Sequence, residues 1–121
     1  GFIASKLNTA KYYRDNLKDV GDIGFQHIRD EVESNEWLFT ITTSSMQELL
    51  DYLNTNGVMS RPFWIPMNQL PMYSNCIYVN NDDISSNIHS RALSIPCSTS
   101  ISDNEKLEVV TKIKGFFTIK N

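Results

Sequence analysis

The sequence predicts an α+β domain, a two-layer sandwich in which a small, mostly antiparallel sheet carries helices on one face. Two observations support this class: three or four segments repeat apolar residues at helical spacing, and about three short segments between them are rich in aromatic and β-branched residues. The 121 residues suffice for one domain, residues 1–121, and folding would bury roughly two thirds of the extended chain's surface. We therefore expect a single core that needs no disulfide or metal.

The first helix is predicted from an apolar stripe that is already under way at Phe2 and stops near Gly21. Its members repeat at helical spacing: Ile3, Leu7, Ala10, Tyr13 and Leu17. No Ser, Thr, Asp or Asn precedes the stripe, although such residues usually cap the start of a helix. We therefore expect that the helix begins upstream of this sequence, which would then be a fragment of a longer protein.

Three strands are expected in the first half of the chain. Asp22 to Arg29 is a weak candidate, and it is followed by an acidic loop. Trp37 to Thr42 is the strongest candidate, because aromatic and β-branched residues are enriched there, and it is predicted to be the central strand. Val58 to Arg61 is a third, short strand. Together with the helix before it, it completes a strand–helix–strand unit.

The helix within this unit is predicted from both of its ends. Its start fits a capping box, in which a side chain accepts a hydrogen bond from the backbone three residues on. Two pairs satisfy the pattern: Ser44 with Gln47, or Ser45 with Glu48. Its apolar residues repeat at i, i+3, i+4 and i+7: Met46, Leu49, Leu50 and Leu53. Asn56 and Gly57 end the helix, since glycine adopts the left-handed cap conformation without strain.

The remaining elements follow a proline-rich stretch. Residues 62–73 hold three of the four prolines, so we expect a rigid loop without regular structure. A short helix is predicted over 80–92, capped by Asn81 or Asp82, and an extended segment over 93–97. A second capping box then opens a C-terminal helix with a strong apolar stripe. The capping pair is Ser102 with Glu105, and the stripe contains Val109, Val110, Ile113, Phe116 and Phe117.

Composition excludes several classes of function. The chain has 11 basic and 14 acidic residues, a net charge of −3, and no cluster of Lys or Arg. Nucleic acids and anionic membranes both require a concentrated basic face, so neither is an expected partner. No apolar run reaches the roughly 18 residues of a transmembrane helix, and no signal peptide is visible. We therefore expect a cytoplasmic protein.

Cysteine chemistry is the first catalytic possibility. Cys76 or Cys97 with His27 or His89 would supply a thiol nucleophile and its base, or ligands for zinc. The four residues lack the paired spacing of zinc sites, and nothing in their spacing supports a catalytic pair. We expect two free thiols, buried or half-buried, and assign no catalytic or metal-binding residue. Three functions are considered for this chain, and the sequence supports a small thiol enzyme least.

The segment from Arg61 to Tyr73 is the strongest candidate site. An arginine at a strand end, followed by Phe63, Trp64 and a proline-fixed backbone, offers a planar fork for a phosphate or carboxylate and flat surfaces for a sugar or base. A second interpretation stays open. Phe63 and Trp64 would then close the edge of the core, and Arg61 would pair with a nearby carboxylate.

Several segments in this order resemble the C-terminal region of the DegT/DnrJ/EryC1/StrS sugar aminotransferases. The resemblance covers nearly all 121 residues and is carried by short elements at plausible separations. They are Ser34 to Ile41, the helix ending Asn56-Gly57-Val58, the stretch Ser60 to Tyr73, and Ala92 to Ser98 before the acidic capped helix. The similarity is greatest to the branch that acts on nucleotide-linked 4-keto-6-deoxy amino sugars.

This resemblance implies the small C-terminal domain of a fold-type I enzyme that uses pyridoxal phosphate. Such an enzyme transfers an amino group, usually from glutamate, to the keto sugar of a nucleotide sugar, for polysaccharide or deoxyamino-sugar biosynthesis. The Schiff-base lysine of the family lies in a larger upstream domain, and no lysine here matches it, since all seven are expected on exposed helix faces or the tail. The resemblance therefore implies an inactive fragment without bound cofactor, and a homodimer in the full-length enzyme.

The resemblance also points to three substrate-binding residues. Arg61, Trp64 and Asn68 match the stretch that reaches the mouth of the family's active site. Arg61 would pair with a phosphate or carboxylate, and Trp64 would pack on the sugar or shape the entrance. Asn68 departs from the family pattern, which has His here, and an amide can exchange hydrogen bonds but cannot titrate near neutral pH. The alternative function is a stand-alone α+β module that binds a small ligand or regulates a partner through the same loop.

Overall fold

The computed structural model describes residues 1–121 and contains four helices and four strands. The helices are α1 (Phe2–Leu17), α2 (Met46–Thr55), α3 (Ile84–Arg91) and α4 (Asp103–Lys120). The strands are β1 (Gly24–Phe25), β2 (Phe39–Thr42), β3 (Arg61–Pro62) and β4 (Ala92–Ile95). The observed strands are therefore shorter than the segments predicted to form them. The α+β class is confirmed. No helix is both long and apolar enough to cross a bilayer.

The four strands form one antiparallel sheet in the order β1-β2-β4-β3. β2 lies inside the sheet, as predicted, and pairs with β4 along its whole length, with Phe39 opposite Ile95 and Thr42 opposite Ala92. β2 and β3 both run antiparallel to β4, one on each side of it. The predicted strand–helix–strand unit consists of β2, α2 and β3. Its two strands are not neighbours, because β4, which comes later in the chain, lies between them.

The core lies between one face of the sheet and three helices. Along β2 and β4, successive side chains point to opposite faces of the sheet. Those that point into this layer are Phe39, Ile41, Leu93 and Ile95. Helices α2 and α4 cover them with the apolar stripes predicted from the sequence. α1 contributes only the second half of its predicted stripe, because Ile3 and Leu7 are exposed. α3 contributes no buried residue. The opposite face of the sheet stays partly open, and it carries Thr40, Thr42 and Ser94.

The predicted capping box of α2 is wrong. Ser45 is the N-cap residue, but its side chain makes no capping hydrogen bond. Instead, the carboxylate of Asp22 accepts hydrogen bonds from the backbone and hydroxyl of Ser44, and Thr43 Oγ1 accepts from Ser45 N at 3.2 Å. Asp22, which follows α1 in the chain, thus fixes the segment just before α2, and local sequence spacing does not show this.

The predicted start of α4 is confirmed, whereas the predicted start of α3 is wrong. Ser102 and Glu105 form the predicted capping box of α4, each side chain bonded to the other's backbone N–H. α3 begins later than predicted, at Ile84, and its N-cap is Asp83 rather than Asn81 or Asp82. Asp83 has a left-handed backbone, with φ at +49°, and makes no side-chain cap. A cap in this conformation cannot be recognised from residue type alone.

The third strand also differs from its prediction. Val58 is buried and Ser60 exchanges two hydrogen bonds with the side chain of Asn54, so neither pairs in the sheet. β3 is only Arg61–Pro62, opposite Ser94 and Leu93 of β4. The stretch that follows is mainly irregular, as predicted, with two single 3₁₀ turns at Met67–Gln69 and Pro71–Tyr73.

Candidate active-site groove

A groove of about 820 Å³ lies where β3 meets the start of the proline-rich loop, and we call it the aromatic groove. Its walls combine two tryptophans, one arginine and several apolar side chains. They are Trp37, Leu38, Arg61, Pro62, Phe63, Trp64, Ile65, Met67, Leu70 and Ser94. The open face of the sheet contributes Ser94, whose hydroxyl is 3.0 Å from Thr40 Oγ1. The groove therefore uses the sheet face that the helices leave free.

The backbone of Phe63 is held at both of its polar groups. Phe63 N donates to Ala92 O at 3.0 Å, which extends the pairing of β3 with β4 by one bond. His89 Nδ1 of α3 donates to Phe63 O at 2.7 Å. Further along the loop, Gln69 Nε2 donates to Ser86 Oγ at 2.8 Å. The loop is thus fixed to β4 and α3, and this fixes the direction in which Arg61 and Trp64 project.

Trp64 lies between two other aromatic rings. Its ring stacks on Phe63, with centroids 5.8 Å apart and planes 17° apart, and meets Trp37 at 5.9 Å and 62°. Trp64 remains 63% exposed and Trp37 62% exposed. Trp64 therefore does not close the edge of the core, and the two indoles form an open apolar corner, an arrangement suited to stacking on a planar or apolar ring.

Trp37 was missed as a site residue by the sequence analysis. Its place in a strand pattern with Phe39 predicts that both side chains face the core. The strand begins only at Phe39, however, and Glu36 immediately before Trp37 has a left-handed backbone with φ at +51°. Arg14 Nη2 holds the buried Glu36 carboxylate at 2.9 Å. Because of this turn at Glu36, Trp37 does not follow the side-chain alternation of the strand, and it points to the aromatic groove.

Arg61 carries the positive charge of the aromatic groove. Its side chain is exposed, and none of the six salt bridges in the structure involves it. The interpretation in which Arg61 pairs with a carboxylate of its own domain is therefore wrong. A guanidinium beside aromatic faces can bind an oxyanion through two parallel hydrogen bonds while the rings hold an attached flat group.

Asn68 lies apart from the other two predicted residues. It lines a second cavity of about 300 Å³, which we call the Asn68 pocket, and Met67 forms a wall of both. The pocket is lined by Pro66, Met67, Asn68, Tyr73, Cys76, Ile77, Tyr78 and Ser85. Asn68 Oδ1 is buried and has no hydrogen-bond partner, the one such side-chain atom in the structure. The structure therefore places Arg61 and Trp64 in one groove and Asn68 next to it.

The cysteines and histidines show no catalytic pairing. Cys76 is exposed rather than buried or half-buried, which corrects one prediction, while Cys97 is half-buried. Cys97 Sγ lies 3.5 Å from both Lys6 Nζ and Trp37 O, and His89 is engaged with the loop backbone. The hydrogen bonds of Cys97 thus involve an ammonium group and a carbonyl, and no imidazole.

The prediction that all lysines are exposed is also wrong. Lys6, Lys106 and Lys112 are half-buried, although all seven were expected to be exposed. Lys106 lies 5.5 Å from the ring centroid of Tyr12, and Lys6 Nζ donates to Trp37 O at 2.9 Å. None of the seven lines the aromatic groove or the Asn68 pocket.

With this geometry established, comparison with known proteins decides the family. The model of the DegT/DnrJ/EryC1/StrS aminotransferase family matches residues 1–114. The chain belongs to this family. Its small antiparallel sheet and four helices superpose on about a third of the length of the solved relatives.

Individual relatives are similar at low identity. The chain is 26% identical to a GDP-perosamine synthase of Vibrio cholerae over 125 residues, which is 95% of this chain and 32% of the relative. It is 23% identical to a GDP-perosamine synthase of Escherichia coli O157:H7 over 98% of this chain and 32% of the relative. The chain thus spans about a third of the length of the curated relatives it matches.

Solved structures support the same fold. DesV of S. venezuelae superposes with a TM-score of 0.86 at 18% identity, covering 95% of this chain and 32% of DesV. PseC of Helicobacter pylori, an aminotransferase involved in pseudoaminic acid biosynthesis, gives 0.83 at 15% identity, covering 97% and 33%. Backbone geometry is therefore retained even where sequence identity is low.

Pyridoxal phosphate, the cofactor implied by the family, does not fit the residues present. Its binding requires a lysine amine for the Schiff base and an acidic partner for the pyridine nitrogen within one cavity. Neither the aromatic groove nor the Asn68 pocket contains a lysine or an acidic residue. Neither of these two cavities therefore supplies the residues that would hold this cofactor.

Proposed function

We propose that this chain is the C-terminal domain of a pyridoxal-phosphate-dependent aminotransferase that transfers an amino group, from glutamate, to the keto sugar of a nucleotide sugar. The aromatic groove is the observation that carries the proposal. A nucleotide sugar contains a flat base, a diphosphate and a sugar ring, and the groove presents indole faces together with an unpaired guanidinium. Family membership and the names of the curated relatives support the same substrate class.

The roles proposed for the chain's own residues are binding and orientation. Arg61 binds a phosphate of the nucleotide sugar or a carboxylate of the amino donor, and Trp64 packs on a ring of the substrate. Asn68 contacts the substrate from the adjoining pocket. The cofactor and the lysine that reacts with it belong to a larger domain of the longer protein, so the 121 residues alone are expected to be inactive and to bind no cofactor.

The longer enzyme is expected to be a cytoplasmic homodimer. The loop between Trp64 and Tyr73 exposes Ile65, Met67 and Met72 beside the groove. Exposed apolar side chains of this size are typical of surfaces that contact another protein. We propose that this loop contacts the second subunit at the mouth of the active site.

The proposed function is tested on the complete coding sequence to which this segment belongs. The purified product is mixed with pyridoxal phosphate, and its absorbance spectrum is recorded before and after glutamate is added. A cofactor band that changes with glutamate supports an aminotransferase, and amination of a nucleotide-linked keto sugar, followed by mass spectrometry, identifies the acceptor. A product that binds no pyridoxal phosphate would overturn the proposal and favour a stand-alone ligand-binding or regulatory module.

A matched experiment tests the expected inactivity of the fragment. The 121-residue chain is incubated with pyridoxal phosphate and reduced with borohydride, and labelled lysines are located by peptide mapping. We expect only slow, scattered labelling of surface lysines, because no lysine lines either cavity. Stoichiometric labelling of one lysine would show that the domain has a cofactor site of its own.

A further inference from the structure

The backbone of Trp37 is held by side chains rather than by the sheet. Its N–H donates to Asn35 Oδ1 at 3.0 Å, and its carbonyl oxygen accepts from Lys6 Nζ at 2.9 Å. Neither group takes part in a backbone–backbone hydrogen bond, because the pairing of β2 with β4 begins only at Phe39. A residue inside a strand is placed by the hydrogen bonds of its sheet, whereas the placement of Trp37 depends on these two side chains.

Packing encloses little of the Trp37 side chain. The residue is 62% exposed, and the ring that it contacts is that of Trp64, which it meets edge to face with centroids 5.9 Å apart. The direction in which an exposed side chain leaves the backbone follows the conformation of that backbone. The groups that hold the backbone of Trp37 therefore also decide whether its indole faces Trp64 across the aromatic groove.

Lys6 of α1 makes the strongest of these contacts. It is half-buried, and none of the six salt bridges in the structure involves it. Its ammonium group donates to Trp37 O and to Cys97 Sγ at 3.5 Å, and Cys97 Sγ also donates to Trp37 O at 3.5 Å. Hydrogen bonds from charged groups are stronger than those from a thiol, so Lys6 supplies most of the hold on this carbonyl.

Arg14, eight positions further along α1, holds the residue before Trp37. Its guanidinium donates to the buried carboxylate of Glu36 at 2.9 Å. α1 thus holds two consecutive residues beside the aromatic groove, although it contributes no residue to the lining. Loss of one partner from a buried ion pair destabilises a whole domain, so a change at Arg14 would mix positioning with folding. Lys6 can be changed without breaking an ion pair.

We propose that Lys6 is a positioning residue of the aromatic groove. Its hydrogen bond to Trp37 O holds the indole of Trp37 against Trp64, and the two indoles together set the affinity of the groove for a planar ring. Lys6 lies outside the lining and does not touch the bound molecule. Its loss leaves Arg61, and hence the binding of an oxyanion, unchanged. The choice of a nucleobase as the planar ring rests on the proposed function, whereas the positioning rests on the hydrogen bonds of Trp37.

Circular dichroism of the 121-residue chain tests the positioning, since the chain contains only two tryptophans. Two indoles in contact couple their electronic transitions and give a pair of bands of opposite sign, which Trp37→Phe should abolish. Lys6→Met keeps the length of the side chain and removes the charged donor, so it should reduce this couplet, and Lys6→Arg should restore it. Lys11→Met is the matched control, because Lys11 is an exposed lysine of α1 that pairs with Asp15.

Ligand binding tests the effect on the groove with two probes, guanosine monophosphate (GMP) and inorganic phosphate. The indole N–H signals of both tryptophans and the guanidinium signal of Arg61 are followed by NMR during titration. Stacking on aromatic side chains contributes to the binding of a base and is absent for phosphate alone. Lys6→Met should raise the dissociation constant for GMP about fivefold, as expected if the indole occupies its binding orientation about a fifth of the time. Phosphate affinity should stay unchanged, as should both affinities in Lys11→Met.

A purely structural role for Lys6 predicts different results. An unchanged couplet or an unchanged GMP affinity in Lys6→Met would overturn the proposal, because packing alone would then place Trp37. Equal weakening of GMP and phosphate together with a lower Tm would also overturn it, because Lys6 would then serve the fold as a whole.

Two further outcomes separate this inference from the proposed function. If the unmodified chain binds phosphate at Arg61 but GMP no more tightly, the indoles hold no ring and the inference fails, whatever the longer protein does with glutamate. If Lys6→Met selectively weakens GMP binding and the longer protein binds no pyridoxal phosphate, the positioning role is supported and the aminotransferase proposal fails.

Discussion

Ser44 donates two hydrogen bonds to one carboxylate oxygen of Asp22, from its backbone N at 2.8 Å and from its hydroxyl at 2.6 Å. The other oxygen of Asp22 accepts from Thr43 Oγ1. This carboxylate therefore holds the residues that precede α2 from a position 22 residues earlier in the chain. Hydrogen bonds from Ser44, then from Thr43, lower the pKa of Asp22 from its ordinary 3.8 to about 2.

The first prediction concerns this contact. Asp22→Ala should lower the free energy of unfolding at neutral pH by about 1 kcal/mol, because it removes three hydrogen bonds from Thr43 and Ser44 at an exposed site. Because the pKa is lower in the folded state, the stabilisation is present above pH 3.8 and is lost as the pH falls towards 2. Urea unfolding of the variant and the unmodified chain should therefore converge in acid. Asp30→Ala, in an exposed loop, is the control, and an equal loss in both variants would contradict the role of Asp22.

The second prediction concerns the buried hydroxyl of Tyr13. It donates to Pro96 O at 2.7 Å, and the side chain is fully buried beneath β4. Tyr13→Phe leaves that carbonyl unpaired and should cost about 1 kcal/mol. Tyr12→Phe is the control, because its ring is only partly buried against the core.

Tyr13→Phe should also change the pH dependence of the free energy of unfolding in alkaline solution. Burial, more than the nearby Cys97, raises the pKa of Tyr13 above its ordinary 10.0. The folded state therefore favours the neutral phenol. Its contribution to stability is complete below pH 10.0 and declines as the pH rises above it. The free energy of unfolding of Tyr13→Phe should fall less steeply above pH 10.0 than that of the unmodified chain, and parallel curves would contradict this assignment.

The third prediction compares two glycines with left-handed backbones. Gly21 has φ at +53° and Gly57 at +81°. A Cβ on Gly21 would lie 2.2 Å from Cδ1 of the buried Phe117 ring, whereas a Cβ on Gly57 meets nothing within 4 Å. Gly57→Ala should therefore cost only backbone strain, about 1 kcal/mol, and Gly21→Ala about 3 kcal/mol, because steric overlap is added.

Chemical denaturation of both glycine variants measures this difference. Adding Phe117→Leu to Gly21→Ala should recover part of the loss, since the smaller side chain relieves the overlap. Equal losses for the two single variants would mean that Phe117 moves aside without cost and that backbone strain alone matters.

The fourth prediction concerns substrate binding by the longer enzyme. Arg61→Gln keeps a polar side chain and removes the charge, so it should raise KM for the nucleotide sugar at least tenfold with a smaller effect on kcat. Arg29→Gln is the matched control: Arg29 is equally charged, lies outside both cavities and pairs with Glu31 at 3.4 Å. Steady-state kinetics with both variants test this, and an unchanged KM for Arg61→Gln would remove Arg61 from the site.

The elements themselves were largely visible in the sequence. Apolar spacing identified the buried faces of α2, α4 and the second half of α1, and the Ser102–Glu105 capping box fixed the start of α4. These features depend on residues within one or two helical turns of each other, so local patterns are sufficient. The prolines likewise predicted the irregular loop that carries Trp64 and Asn68.

The contacts that define the site required the folded chain. Trp37 and Trp64 are 27 positions apart and meet only because a left-handed turn at Glu36 redirects Trp37, and a positive φ at a glutamate has no sequence signature. Asn68 was predicted to lie with Arg61 and Trp64, yet Met67 separates it into a pocket of its own.

The sequence by itself determined the fold class, the buried faces of α2 and α4, and the loop that carries Trp64 and Asn68, because periodicity and proline act over short distances. Only the tertiary structure decided which side chains share a cavity, which carboxylate binds the residues before α2, and which polar side-chain atom stays unpaired. These outcomes depend on long-range packing, in which a single backbone turn or one intervening side chain changes the partner of every group beyond it.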